Sequence, residues 1–382
     1  MSFPQTGADG PIRIAYVVNK LATGGVKSLL TSYLRHIDHD RFEIEFVVCK
    51  GGLVSSDYAG IESMGGSVIE VAPISNPLAY VPDCARALKR GGYDIVQACM
   101  NSLNVFPLLA AKAVGVPVRI SYNLSTSHPG EGKSAAKSAL RPFGNLFTTA
   151  RAANSELAWD WLFGEERASK RTIIPNAIDL NVYGFDKGLR ERTRAEMGWE
   201  DLFVVGHIGR FEYQKNHTLL VEIFKEVLAR EPRSRLALVG YGSMKERVFG
   251  KIDELGLADA VVDLGATEDL NGLYNAFDCF VLPSFYEGLP VVGIEAQATG
   301  CPCVFSSEIT RETEVNDQVV FVSLSEPADC WAEAVLRFEG VERTDGREAV
   351  ASHGFEAKEA ARNLERFYLA QLGECDSQRR ES

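Results

Sequence analysis

No stretch of this 382-residue chain approaches the ~18 consecutive apolar residues that a membrane-spanning helix needs. The opening MSFPQTGADG has neither a basic start nor an apolar core, so it does not read as a secretory signal. No two cysteines stand in a CxxC pair. The eight (Cys49, Cys84, Cys99, Cys279, Cys301, Cys303, Cys330 and Cys375) are scattered, which reads as reduced thiols in a cytoplasm. Cys301 and Cys303, on either side of Pro302, read as core thiols. The histidines show no metal-ligand spacing, so neither a metal nor a cofactor is expected. Basic charge is also short: the net charge of −12 argues against nucleic acid as a partner. Repeats and low-complexity tracts are missing too.

What is present is ordinary globular material, 46% hydrophobic and 24% charged, which excludes disordered and fibrous classes. At roughly 150 residues per domain, the length suggests two domains. Their charges differ. Positions 1–175 hold 18 basic and 15 acidic residues, whereas the rest hold 22 and 37, so a mildly basic half precedes a strongly acidic one.

Along the chain, short apolar strands alternate with helix-length segments. Ile12–Val18 reads as a strand, Gly24-Gly25 as a turn, and Val26–Ile37 as a helix whose Val26, Leu29, Leu30, Tyr33, Leu34 and Ile37 share one face. Phe42–Val48, Ser67–Val71, Asp94–Ala98 and Val116–Tyr122 follow as strands. Near Ile173–Phe185 the pattern lapses and then restarts. Phe203–Gly209, Leu236–Gly240, Val261–Gly265, Cys279–Pro283 and Cys303–Ser306 are the next strands, and Asn216 is expected to cap a helix. This alternation predicts two doubly wound α/β domains with parallel sheets. We place them at 1–172 and 186–355, with a connector at 173–185 and a frayed tail at 373–382.

Ligands of doubly wound sheets sit beyond the carboxyl ends of the strands, where helix N-termini present free N–H groups. Gly209-Arg210-Phe211-Glu212-Tyr213-Gln214-Lys215-Asn216-His217 stands at such a place. Arg210 and Lys215 bracket a loop entering a helix, and two cations beside that positive end favour an anionic ligand. Gly240-Tyr241-Gly242 ends the next strand and lets backbone approach a ligand closely. In Ser284-Phe285-Tyr286-Glu287-Gly288-Leu289-Pro290-Val291-Val292-Gly293-Ile294-Glu295, two carboxylates border a helix start, and carboxylate oxygens suit recognition of hydroxyls. A solvated loop, or acids that merely complement the helix dipole, are the plainer readings.

The series GRFEYQKNH, LVGYGS and LPSFYEGLPVVGIEAQATGCPCVFS resembles the retaining glycosyltransferase family 4, most closely its members that build bacterial exopolysaccharide and capsule. The E-x7-E spacing of Glu287 and Glu295 is that family's hallmark, and WLFG, IIPNAID and EITRE fit as well. The resemblance covers most of residues 12–372. It implies a GT-B fold, with two Rossmann-like domains facing each other across a cleft and a helix at 356–372 crossing back to the first. It further implies that Arg210 and Lys215 hold a nucleotide-sugar diphosphate without a metal. Glu295 would bind the ribose, and Glu287 with the Gly288 and Leu289 amides would grip the donor sugar. Gly24 and Gly25 would approach the diphosphate, with Gly240 and Gly242 beside it. Retention without an evident nucleophile fits front-face departure and attack.

Departures fall in the first half. Gln97 stands where relatives carry His, and Ser121-Tyr122-Asn123-Leu124 replaces a His-bearing run. His128 is the nearest candidate for the sugar-contacting histidine. A catalytically silent sugar-nucleotide-binding subunit is one alternative, and a GT-B sugar-nucleotide epimerase is another. Gly130-Glu131-Gly132-Lys133-Ser134 lacks the first P-loop glycine, since position 127 is Ser127. Asp38-His39-Asp40 reads as a polar turn, and no GxGxxG follows the first strand. The expected activity is sugar transfer from a nucleotide-diphosphate sugar, a UDP-sugar foremost, to a glycan or polyprenyl-linked acceptor. Residues 133–151, with Lys133, Lys137, Arg141 and Arg151 beside Leu140, Phe143, Leu146 and Phe147, suit contact with an anionic inner membrane surface. An ordinary helix packed on the sheet is the alternative there.

Overall fold

Alternating burial along the strands decides the architecture. In the computed structural model, which describes residues 10–21, 25–53, 55–126, 138–166, 170–267 and 269–381, strand β1 (Ile12–Val18) sends Ile14, Tyr16 and Val18 into one apolar cluster. Its Ala15 and Val17 enter another. A strand buried on both faces belongs inside a parallel sheet covered by helices on each side. β1 pairs in parallel with β2 (Phe42–Cys49) and with β4 (Ile95–Ala98). With β3 (Ser67–Val71), β5 (Val118–Asn123) and β6 (Ala150–Ala153), the order is β3-β2-β1-β4-β5-β6.

Helix α1 (Gly25–His36) covers one face. Its Leu29, Leu30, Tyr33 and Leu34 are each at most 1% exposed, and burying each such side chain stabilises the fold by about 1.5–3 kcal/mol. Helix α2 (Ser55–Ser63) follows β2. The opposite face is covered by α3 (Pro77–Gly91) and α4 (Val105–Ala113), and α5 (Glu156–Phe163) follows β6. Asp38–Asp40 lies in a turn, where the Asp40 amide donates to the Asp38 carboxylate at 3.0 Å.

The second compact unit repeats this plan. Its strands are β7 (Phe203–Ile208), β8 (Ser234–Val239), β9 (Val261–Gly265), β10 (Cys279–Leu282), β11 (Cys303–Ser306) and β12 (Val319–Val322). They are ordered β12-β11-β10-β7-β8-β9, which is the same winding counted from β7. Helices α6 (Lys187–Met197), α7 (His217–Arg230), α8 (Lys245–Glu254), α9 (Leu270–Ala276), α10 (Val291–Ala298), α11 (Ala328–Leu336) and α12 (Arg347–Ser352) belong to it. Arg190 and Arg194 of α6, with Arg343, donate to the carbonyls of Tyr274, Asn275, Ala276 and Phe277 at the end of α9. Cations at a helix C-terminus complement its dipole.

The chain crosses between units at Ala177–Ile178 and returns at Glu356–Ala357. The stretch expected as a connector is therefore divided. Ile174 bonds β6 in the first unit, whereas Ile178 bonds Phe355 in the second. The last helix, α13, runs over Ala357–Glu381, so the expected frayed tail after residue 372 is helical instead. Ala360, Ala361, Leu364 and Tyr368 of α13 enter the core beside α1, and that packed face nucleates the helix that continues beyond it.

Two of the sequence departures are core residues. Gln97 is fully buried in β4. The Tyr368 hydroxyl lies 2.8 Å from Gln97 Oε1 and 3.0 Å from the Tyr16 hydroxyl, so it donates to the amide and accepts from the second tyrosine. Tyr122, equally buried, donates to the Ile174 carbonyl at 2.6 Å. Both side chains serve packing inside the first unit.

Candidate active site

In the second unit the winding reverses between β7 and β10, and a crevice for ligands opens at the strand ends of such a switch point. The loop after β7 is held from below by its neighbour. Gly209 N donates to Val239 O, Phe211 N to Tyr241 O, and Met244 N to Phe211 O, over 2.8–2.9 Å. This proximity is what requires Gly240 and Gly242. Their φ angles are +146° and +156°, and a Cβ would stand 2.0 Å from Gly209 O and 2.3 Å from Phe211 O. Glu212 accepts from the amide and hydroxyl of Ser243 at 3.1 and 2.9 Å, which adds a second tie. The loop ends in a short 3-10 turn at Tyr213–Lys215. Asn216 then precedes α7 in the left-handed region, at φ 51°, without a side-chain cap, so the expected capping bond is absent.

The loop after β10 faces this turn. Phe285 N donates to Gln214 O at 2.9 Å, and the Tyr213 and Phe285 rings stack at 4.6 Å. Between the two loops lies a buried ion pair. Lys215 Nζ is 2.7 Å from Glu287 Oε1, and their side chains are only 13% and 9% exposed. Ser284 Oγ donates to the same oxygen at 2.8 Å. Gln214 Nε2 donates to Glu287 Oε2 and to the Tyr286 carbonyl, both at 2.9 Å. Arg210 is different, for it is exposed. Gly288 and Leu289 are buried in the turn into α10.

Glu295 lies within α10, and it is 4% exposed. Its Oε2 accepts from the Tyr274 hydroxyl at 2.8 Å. Burial raises its pKa from 4.5 to about 7, with hydrogen bonds from Tyr274 and Tyr183 opposing the rise. Beneath the Lys215 loop, His207 and His217 meet at 4.6 Å between ring centroids. His207 donates through Nδ1 to Val281 O at 2.8 Å, and His217 stacks on Phe211. Burial lowers their pKa values to about 4 and about 2, so both are neutral imidazoles at ordinary pH.

Of the site residues named from sequence, Lys215 and Glu287 are in direct contact, with Gly240 and Gly242 supporting their loop. Glu295 has its own tyrosine partners. Gly25 opens α1 in the first unit. Gly24 and His128 lie outside the described residues, as do Lys133 and Lys137. Sequence reasoning missed Gln214, Ser284, Tyr183 and Tyr274. Only the first two had a signal, being polar residues at the apolar strand ends beside Lys215 and Glu287.

A doubly wound sheet with charged and polar groups converging at its switch point is the arrangement in which open α/β proteins hold their ligands. Residues 190–344 match the family model described as glycosyl transferases group 1. EpsF of Bacillus subtilis (strain 168), assigned as a glycosyltransferase, is 31% identical over 360 residues, covering 91% of this chain and 94% of that protein. The UDP-Gal:alpha-D-GlcNAc-diphosphoundecaprenol alpha-1,3-galactosyltransferase of Escherichia coli is 26% identical over 318 residues, covering 78% and 79%. Among solved structures, Anabaena HepE in complex with UDP and glucose aligns with a TM-score of 0.78 at 19% identity, over 93% of this chain and 99% of that one. The chain belongs to the group 1 glycosyltransferases, and its fold is GT-B.

Proposed function

We propose that this glycosyltransferase is a retaining member of family 4, moving a sugar from a UDP-sugar to a hydroxyl of a glycan or lipid-linked glycan during bacterial surface polysaccharide synthesis. The observation that carries the reading is the Lys215–Glu287 pair at the switch point, with the exposed Arg210 on the same loop. Cations at this place favour departure of a diphosphate without a metal. In this reading Arg210 and Lys215 bind the diphosphate, and Glu287 with the Gly288 and Leu289 amides binds the sugar. Glu295 binds the ribose; for Gly24 and Gly25 a diphosphate role, and for His128 a sugar contact, follow from the family resemblance alone. The names of the relatives support the polysaccharide setting: one acts on an undecaprenol-linked sugar. An acceptor of that kind stays in the membrane, so residues 133–151 are assigned as a docking segment on its anionic inner face.

Donor hydrolysis tests the reading. Incubated with UDP-, GDP- and ADP-sugars, the protein should release UDP, and NMR of the freed sugar should show the donor's anomeric configuration first. Inverted product overturns retention, and release of GDP or ADP alone overturns the choice of base. Binding without release of any nucleotide supports a silent subunit.

A further inference from the structure

The carboxylate of Glu287 is bonded more heavily than one cation requires. Oε1 accepts from Lys215 at 2.7 Å and from Ser284 at 2.8 Å, and Oε2 accepts from Gln214 at 2.9 Å. Ser284 is fully buried. Gln214 spends its two amide hydrogens on Glu287 and on the carbonyl of the preceding residue, Tyr286, so its amide is fixed in direction. Lys215 is thus already engaged by a carboxylate before an anion arrives. A diphosphate, with more negative charge than one carboxylate, competes for that ammonium. As Lys215 turns to phosphate, Glu287 would be left as a buried anion, a costly state unless other donors hold it.

We propose that Gln214 and Ser284 are positioning residues that keep the Glu287 carboxylate in place when Lys215 is drawn from it onto the donor diphosphate. The proposal rests on the reading of this site as the donor site. Two neutral donors satisfy the carboxylate without competing for phosphate, and Glu287 stays aimed while the sugar reacts. Their contribution grows as Lys215 leaves, so it falls on turnover more than on the affinity of free nucleotide. Lys215 pairs with Glu287. Arg210 and Glu212 share its loop, and the imidazoles of His207 and His217 beneath it are neutral.

The test uses the full chain, free UDP for binding, and UDP release from UDP-glucose and UDP-galactose for turnover. Gln214→Ala and Ser284→Ala should each lower kcat by about tenfold or more, as expected for lost bonds to a charged group, with the Kd for UDP nearly unchanged. Gln214→Glu is the discriminating variant. A carboxylate there repels Glu287 at alkaline pH, whereas a shared proton restores the donated bond in acid. Its kcat relative to wild type should therefore fall at pH values near ~8 and recover near ~5.5. Equal loss at both pH values overturns the proposal, because a merely structural defect has no such profile. So does wild-type turnover in both alanine variants, or a loss of UDP affinity as large as the loss of kcat. A wild-type protein that neither binds free UDP nor releases it from either donor overturns the donor-site reading instead.

Discussion

Truncating Arg210 and truncating Lys215 are different perturbations, although sequence alone sets them side by side as phosphate cations. Arg210 is exposed, whereas Lys215 is buried against Glu287. Each alanine variant should weaken UDP binding by about 1.5–3 kcal/mol if both groups reach phosphate. Only Lys215→Ala should also destabilise the fold, by about 1–3 kcal/mol, because Ser284 and Gln214 still hold the abandoned carboxylate. Thermal melts without ligand check this, and equal melting temperatures for the two variants would contradict the ion pair. Glu295 gives a pH-dependent case. Its carboxyl titrates at about 7 in the folded chain and at 4.5 ordinarily, so folding takes up a proton between those values. Stability then falls as pH rises from about 4.5 to about 7, by about 3 kcal/mol at most, and the full penalty persists above. Glu295→Gln abolishes that slope, so its melting temperature should gain on wild type at pH ~8 relative to pH ~5. A constant difference across pH would refute the raised carboxyl. UDP affinity should drop in the same variant if the ribose bonds Glu295.

At the scale of elements, one hydroxyl adds a buried polar tie between the last helix and the first sheet, beside the apolar packing of Ala360, Ala361 and Leu364. Tyr368→Phe removes the donor to Gln97 Oε1 and leaves that acceptor buried, an expected cost of about 1–3 kcal/mol. Urea denaturation measures it, and an unchanged midpoint would mean that Gln97 finds another donor. This contact also marks where sequence reasoning stops. The strands and the stripe of α1 were legible because burial on a sheet face or a helix face follows a period of the chain itself. The strand-end loops were legible for a related reason: GRFEYQKNH and PSFYEG follow apolar strands, and the winding brings their ends together. Hydrogen-bond partners follow no such period. Gln97 meets Tyr368 across 271 positions, Gln214 meets Glu287 across 73, and Tyr274 meets Glu295 across 21. Each pairing depends on how helices settle on strands, which only the assembled packing decides. For that reason Gln97, which reads as a lost functional histidine in the chain, is a core residue in the fold.

At the scale of the whole molecule, charge and exposed apolar side chains are unevenly distributed. Among the described residues no helix is long and apolar enough to cross a membrane; the proposed lipid-linked acceptor would be met by docking at the membrane surface. The excess of acid after position 175 would be repelled by an anionic surface, and the basic earlier half would be attracted. Within residues 138–151, the part of the docking segment that is described, Arg141–Phe143 forms a short 3-10 turn. Phe143 and Leu146 are 53% and 62% exposed, whereas Phe147 packs against the core of the first unit, so part of the apolar set is turned outward and part inward. Arg141 lies 6.0 Å from the Trp161 ring and donates to Asp160 O at 3.2 Å, which keeps a cation beside the exposed apolar pair. Apolar side chains with neighbouring cations suit an acyl–headgroup boundary, and each cation contributes about 1 kcal/mol near an anionic leaflet. The protein should therefore co-sediment with phosphatidylglycerol vesicles at low salt and much less with phosphatidylcholine ones. Added salt should release it. Replacing Phe143 and Leu146 by Ser should weaken the apolar part of binding, and replacing Lys133, Lys137 and Arg141 by Gln should weaken the salt-sensitive part. If neither replacement changes sedimentation, another surface docks the protein. If wild type ignores anionic vesicles, the acceptor is one that reaches the enzyme through water.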